Sequence, residues 1–109
     1  MIVIFDRKGL SQLLSLDVGS LKDADLSNAQ LENANLVQFD LSGANLQNAN
    51  LSTADLRLAN LSHADLQGAN LTGADLTGAI LEGTNLDGTK LDSALIEDGS
   101  LAAIKISQE

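Results

Sequence analysis

Leucine stands at every fifth position from Leu21 to Leu91, fifteen times without a gap. Two residues before every leucine but Leu41 is a small residue, most often alanine as in Ala24, Ala29, Ala34 and Ala44, and the residue between them is usually Asp or Asn. The pattern of apolar and polar positions is therefore Ala-Asp/Asn-Leu-x-x, which has neither helical nor flat-strand periodicity. On an α-helix, residues five apart are displaced by roughly 140°, so the leucines would scatter around the whole cylinder. On a flat strand an odd period sends successive leucines to opposite faces. A chain of short extended pieces that bends once per quintet keeps them together. Alanine and leucine, two apart, then share the inner face while the Asp or Asn between them points outward. Repeated bending closes the chain into a spiral.

These units resemble those of the pentapeptide-repeat proteins, and the resemblance runs over residues 19–93. It implies an all-β fold: a right-handed, four-sided parallel β-helix with one quintet per side. The fifteen quintets then make about four coils, stacked at the roughly 4.8 Å spacing of paired strands.

The ends of such a stack need covers, because an open coil leaves inward leucines and strand edges bare. Residues 1–18 are expected to form an N-terminal cap. Met1 to Phe5 is a β-prone apolar run, and Asp6, Arg7, Lys8 and Gly9 read as a charged turn. Leu10, Leu13 and Leu14 have helical spacing, whereas Leu14 and Leu16 also fit an irregular quintet, and both readings stay open. Met1 to Ile4 is expected to cover or pair with the first coil, the rival being pairing between chains. Past residue 93, Ile96, Leu101 and Ile106 keep the five-residue register, so residues 94–109 are expected to be degenerate repeats forming a C-terminal cap.

The second residue after each leucine is where the chain turns. Gly at 43, 68, 73, 78, 83 and 88 and Asn at 28, 33 and 48 tolerate the positive φ of a type II turn. Thr53, Leu58 and His63 resist it, and a different turn type is expected there. Among inner positions, Phe39 replaces alanine before Leu41 and is expected to fill the core over Gly19, one coil earlier; Thr84 and Thr89 also replace alanine. On the outside, Asp25, Asn45, Asp65 and Asn85 fall in one row, where each Asn can donate to its Asp neighbours. The row of Asn35, Asp55 and Asp75 lacks that alternation, so carboxylate repulsion is expected there.

Composition adds constraints. The 109 residues make one domain, with Phe5 and Phe39 as the only aromatics and no Pro, Trp, Tyr or Cys. A repeat array stacks like on like and needs few large side chains. Without cysteine there are no disulfides or thiolate metal sites. The single histidine, His63, sits at an outward corner, and no constellation of metal ligands or activated nucleophile is present. No enzyme and no cofactor are expected. The triplets at Asn50, Asn60 and Asn70 match a glycosylation pattern that the repeat itself generates, and Thr72, Thr77, Thr84 and Thr89 do not form the two-column face of an ice binder. Met1 to Ile4 is too short for a signal-peptide core or a membrane span, so a cytoplasmic location is expected.

Outward polarity breaks on one side, where Val37 and Leu58 occupy adjacent coils flanked by Gln38 and Arg57. Val37, Arg57 and Leu58 are the candidate contact surface for a partner protein. The expected role is a non-enzymatic rigid scaffold or protein-interaction module, as a monomer or end-to-end homodimer, with no direct nucleic-acid or membrane binding. The resemblance implies an alternative, since some acidic relatives inhibit or protect DNA gyrase by imitating DNA, and it links the chain to a family abundant in cyanobacteria. The net charge of −9 invites that alternative, but sorted over four sides the charges of residues 19–98 are −2, −3, −1 and −3. Duplex DNA carries one charge per roughly 1.7 Å of axis, which no single side approaches. Gyrase inhibition is therefore not expected.

Overall fold

A computed structural model describes residues 1–96. Parallel bridges join the residue before each leucine to the one twenty positions on, from Asp25 with Asn45 and Gln30 with Asn50 through to Asp75 with Leu95. A bend every five residues and a coil every twenty make the solenoid four-sided and all-β. Each side is named here by its first leucine; the Leu36 side carries Leu36, Leu56, Leu76 and Ile96.

The quintet is a closed account of backbone donors, as the one at Leu56 illustrates. The N–H of Leu56 donates to the Asp75 carbonyl at 2.8 Å and that of Leu58 to Thr77 at 3.0 Å, both one coil on, while Asn60 donates to Phe39 at 2.9 Å, one coil back. The Ala59 N–H closes the turn onto the Leu56 carbonyl at 3.1 Å. The fifth donor, the Arg57 N–H, reaches a side chain: Asp55 Oδ1 accepts it at 3.3 Å. The same Asx bond recurs at Asn35, Asp40, Asn45, Asn50, Asn60, Asp65, Asn70 and Asp75. Asp or Asn precedes leucine because its short side chain satisfies an N–H that the ladder cannot reach. The expected ladder of outward amides is a lesser feature, with Asn85 donating to Asp65 at 3.2 Å.

Every corner is left-handed. Positive φ occurs at all fifteen turn positions from Asp23 to Ser93, including Thr53 at 56°, Leu58 at 62° and His63 at 60°. The expectation of another turn type at these three residues is overturned. Positive φ at the third turn residue alone is the type II pattern. It sets the central peptide so that its N–H reaches the next coil, and that ladder overrides the local preference of the side chain. Corner side chains in turn lean on the coil that follows. A Cβ placed at Gly83 would lie 2.4 Å from His63 Nδ1, and one at Gly73 3.3 Å from Thr53 Cγ2.

Inside, leucines from Leu31 to Leu71 are at most 1% exposed and alternate with layers of alanine. Thr84 and Thr89 fit among them because their hydroxyls donate to the carbonyls of Leu61 and Leu66, both at 2.7 Å. Phe39 packs partly buried against the core, but a Cβ on Gly19 would meet nothing within 4 Å, so Gly19 is not its seat.

The first coil is covered by an antiparallel hairpin of β1 (Ile2–Phe5) and β2 (Gln12–Leu16). Neither the helix nor the irregular quintet considered for residues 10–18 forms. Ile2 pairs with Leu16 and Ile4 with Leu14, so period-two alternation sets these four apolar residues against the core, and Leu13 packs there as well. Ile4 is 1% exposed. The hairpin joins the solenoid where the Asn35 N–H donates to the Phe5 carbonyl and the Arg7 N–H to the Asn33 carbonyl, each at 2.8 Å. At the other end the quintet register continues through Ile96, with the Leu95 N–H donating to Ala74 at 2.9 Å. The rest of the expected C-terminal cap, 97–109, lies outside the described residues.

Two stability measurements follow from this architecture. Leu56→Ala removes a fully buried side chain with coils on both sides and should destabilise by roughly 2–5 kcal/mol, whereas exposed Gln67→Ala should stay within about 0.5 kcal/mol. Equal losses in urea titrations would show the inward and outward assignment to be wrong. Thr53→Gly should stabilise by up to about 1 kcal/mol, because relief of a β-branched residue at positive φ exceeds the entropy cost of glycine; a lower midpoint at unchanged slope would contradict a strained corner.

Candidate functional site

The Leu36 side brings Val37, Arg57 and Leu58 together. Each quintet on this side presents its first residue after leucine outward and its second at the corner, so stacking sets Val37, Arg57 and Thr77 in one column and Gln38, Leu58 and Gly78 in the next. These six line one open depression of about 480 Å³. Val37 is half-buried in it, and Leu58 is 55% exposed. The missing side chain of Gly78 admits Leu58, whose Cδ2 lies 2.7 Å from where a Cβ would stand. The depression is therefore an apolar notch framed by two side chains and floored by a glycine corner.

Arg57 does not present a free charge. Its Nε donates to Asp55 Oδ1 and its Nη2 to Asp55 Oδ2, both at 2.8 Å, a bidentate pair around a buried carboxylate. The Arg57 guanidinium holds the Asp55 carboxyl below the usual carboxylate range, and Asp55 raises the guanidinium in return. Arg7 of the cap adds to the field at Asp55 and donates through Nη1 to the Thr53 carbonyl at 3.2 Å. The repulsion expected along Asn35, Asp55 and Asp75 is thus met by cations from the same side and from the cap.

Sequence reasoning missed Phe5. The hairpin runs antiparallel to the first coil, with Asp6 opposite Ala34, so Phe5 lies opposite outward-facing Asn35 while Ile4 turns inward. Phe5 is 44% exposed and extends the apolar surface of this side below Val37. The alternation within Met1 to Phe5 held that signal, but the pairing partner was not legible. Leu95 stacks above Asp75 on the same side, and Ile80 begins the next side past the Gly78 corner.

Apart from Ile80, which is 49% exposed, the other sides of the solenoid are polar. Gln47, Gln67 and Asp87 line one depression, and Lys22, Asp23, Asp40, Ser42 and His63 another. Ser27 and Ser42 hydroxyls donate to Asp25 and Asp40 and hold those carboxyls below their ordinary range. Among the described residues no three His, Cys, Asp or Glu side chains are grouped to hold a metal ion, and no helix is long and apolar enough to cross a membrane.

The family model described as pentapeptide repeats matches residues 24–62 and 54–92, in eight copies. No protein of curated function matches the chain. Among solved structures, the pentapeptide-repeat protein Rfr23 from the cyanobacterium Cyanothece 51142 is 50% identical with a TM-score of 0.68, over 70% of this chain and 52% of that one. The chain thus spans about half the length of that relative. The pentapeptide-repeat protein alr5209 from Nostoc Pcc 7120 is 35% identical over 76% of this chain and 84% of that one, with a TM-score of 0.43. QnrB1, a plasmid-mediated fluoroquinolone resistance protein, is 20% identical over 68% of this chain and 54% of that one with a TM-score of 0.36, too distant to carry an argument about role. With residues 24–92 matched by the family model and a half-identical relative of the same fold, the chain belongs to the pentapeptide-repeat family.

Proposed function

We propose that this protein is a rigid, non-enzymatic scaffold that offers the Leu36 side, through Val37, Arg57 and Leu58, to a partner protein, and that it works in the cytoplasm. One observation carries the reading: a surface of repeated, hydrogen-bonded polar rows is interrupted on this side by an apolar notch next to an internally neutralised ion pair. Rigidity supports it. In quintets such as that at Leu56 all five N–H groups are satisfied, so little ordering remains to oppose binding.

A pull-down with immobilised protein tests the surface. The double variant Val37→Ser and Leu58→Asn uses residues the repeat already accepts in those slots, Ser at 27 and 42 and Asn at 28 and 33. It should keep the melting temperature within a few degrees, since exposed substitutions change little, and lose a protein that the wild type retains. Retention of the same proteins by both would remove this side from the function.

Imitation of DNA at gyrase is the competing role, and the charge distribution argues against it. Among the described residues no side of the solenoid exceeds −3, and the bidentate pairing of Asp55 lowers what the Leu36 side presents. Supercoiling should proceed unchanged at micromolar protein. Inhibition at sub-micromolar protein that disappears on neutralising Asp55 and Asp75 would establish the mimic instead.

A further inference from the structure

We propose that the Leu36 side docks a basic, amphipathic segment of another protein, with Phe5 of the cap as a third apolar anchor beside Val37 and Leu58 and Asp75 as the charge partner. The inference rests on the reading of this side as the partner surface and adds the chemistry of the ligand and the participation of the cap. Phe5 lies one strand spacing below the first coil, where its carbonyl accepts the Asn35 N–H at 2.8 Å. Val37 is two residues beyond Asn35, and Leu58 is one coil up and one residue further. At about 4.8 Å per coil and about 3.3 Å per residue these three side chains climb diagonally over roughly 14 Å. A single short segment can reach all three.

Charge decides among occupants. A second copy brings another net −9, and nucleic acids and anionic lipid surfaces are like-charged too, so each would meet repulsion at close approach. The cations of this side are local: Arg57 is held bidentate by Asp55, and Arg7, hydrogen-bonded to the Thr53 carbonyl, keeps its charge and directs it at Asp55, so the basic residues of a ligand belong toward Asp75 rather than beside the cap. Asp75 differs from Asp55. Its Oδ1 accepts from the Thr77 N–H at 3.0 Å and Oγ1 at 2.6 Å, and among the described residues no cation makes a contact ion pair with it, although its charge acts on the Arg57 guanidinium from a distance. Asp75 stacks over Asp55, three residues back along the side from Leu58 and one coil up, roughly 11 Å away; a lysine or arginine of the ligand next to the apolar residue on Leu58 spans that distance with its own side chain and meets the carboxylate. The surrounding acidic sides steer such a segment toward the apolar stripe, where contact then holds it.

The test uses the full chain and a fluorescent synthetic peptide of about a dozen residues with three leucines and four lysines, its register allowing the leucines one common face. Two companions replace the leucines by serine or the lysines by glutamate. Anisotropy should show binding of the first peptide, weakened by added salt. Leu58→Asn and Phe5→Ser should each weaken it about tenfold, the loss of one buried anchor, and Asp75→Asn about threefold. Thermal melts confirm that each variant is folded, and Leu58→Asn, outside the hairpin, decides the matter if Phe5→Ser disturbs the cap. Equal binding of the serine peptide would overturn the proposal in favour of unspecific charge attraction. If the glutamate peptide binds as well and both shift the NMR signals of Val37 and Leu58, the side is a partner surface but the basic ligand is wrong. Shifts confined to another side overturn both readings. A dimer seen by sedimentation and dissolved by Leu58→Asn would make a second copy the occupant and overturn the proposal.

Discussion

The structure depends on one peptide unit, the central peptide of each corner. Its N–H donates to the next coil, as Asn28 to Gln47 at 2.8 Å and His63 to Glu82 at 2.9 Å, and it can do so only with the following residue at positive φ. For a side chain other than glycine that conformation costs roughly 1–2 kcal/mol, about what one hydrogen bond returns. The corner alone is therefore close to neutral. Burying the leucine two residues earlier, worth about 1.5–3 kcal/mol, tips the balance, and it does so at every quintet. Neither term suffices without the other: the leucine is buried because the corner turns, and the corner is tolerated because the leucine is buried.

The same accounting explains the rest of the unit. Three of its five N–H groups run between coils and one closes the turn, which leaves the residue after leucine without a backbone acceptor. Asp and Asn supply it at the shortest reach. Where the residue before leucine is Gln30, Ile80 or Lys90, the N–H concerned belongs to Glu32, Glu82 or Asp92, all exposed, so water can replace the missing side chain. The repeat is thus a solution for hydrogen bonds first and for apolar burial second, which is why alanine can give way to Thr84 and Thr89 once their hydroxyls find the carbonyls of Leu61 and Leu66.

The spiral, its inner residues and its family were legible because a five-residue period admits few chain paths. The corners at Thr53, Leu58 and His63 were misread because local propensity was weighed without the ladder from the neighbouring coil, a constraint of stacking that no single quintet contains. The cap was half legible for a related reason. Met1 to Phe5 showed its strand character alone, but β2 is a strand only because β1 lies beside it; Leu10, Leu13 and Leu14 in isolation fit a helix equally well. Of the candidate surface, Val37 and Leu58 followed from register, whereas the Arg57 pairing with Asp55 needed side-chain directions, and Phe5 needed the hairpin's seat on Asn35.

A surface made of identical units cannot distinguish one partner from another, so recognition has to reside where the units differ. The departures in this chain sort into two groups. Thr84, Thr89, Phe39 and the corner glycines above His63 and Thr53 answer to the core or to the adjacent coil. Val37 and Leu58 differ: Leu58 leans over Gly78 as those corner residues do, but the slots accept serine and asparagine elsewhere, and no inner packing asks for apolar side chains there. Arg57 shares their side and has a structural duty, neutralising a carboxylate that stacking buries. Its presence converts what would be a repulsive row into an electrically quiet one, and an electrically quiet, rigid, partly apolar surface within an acidic body is the physical setting in which a modest hydrophobic contact can become selective.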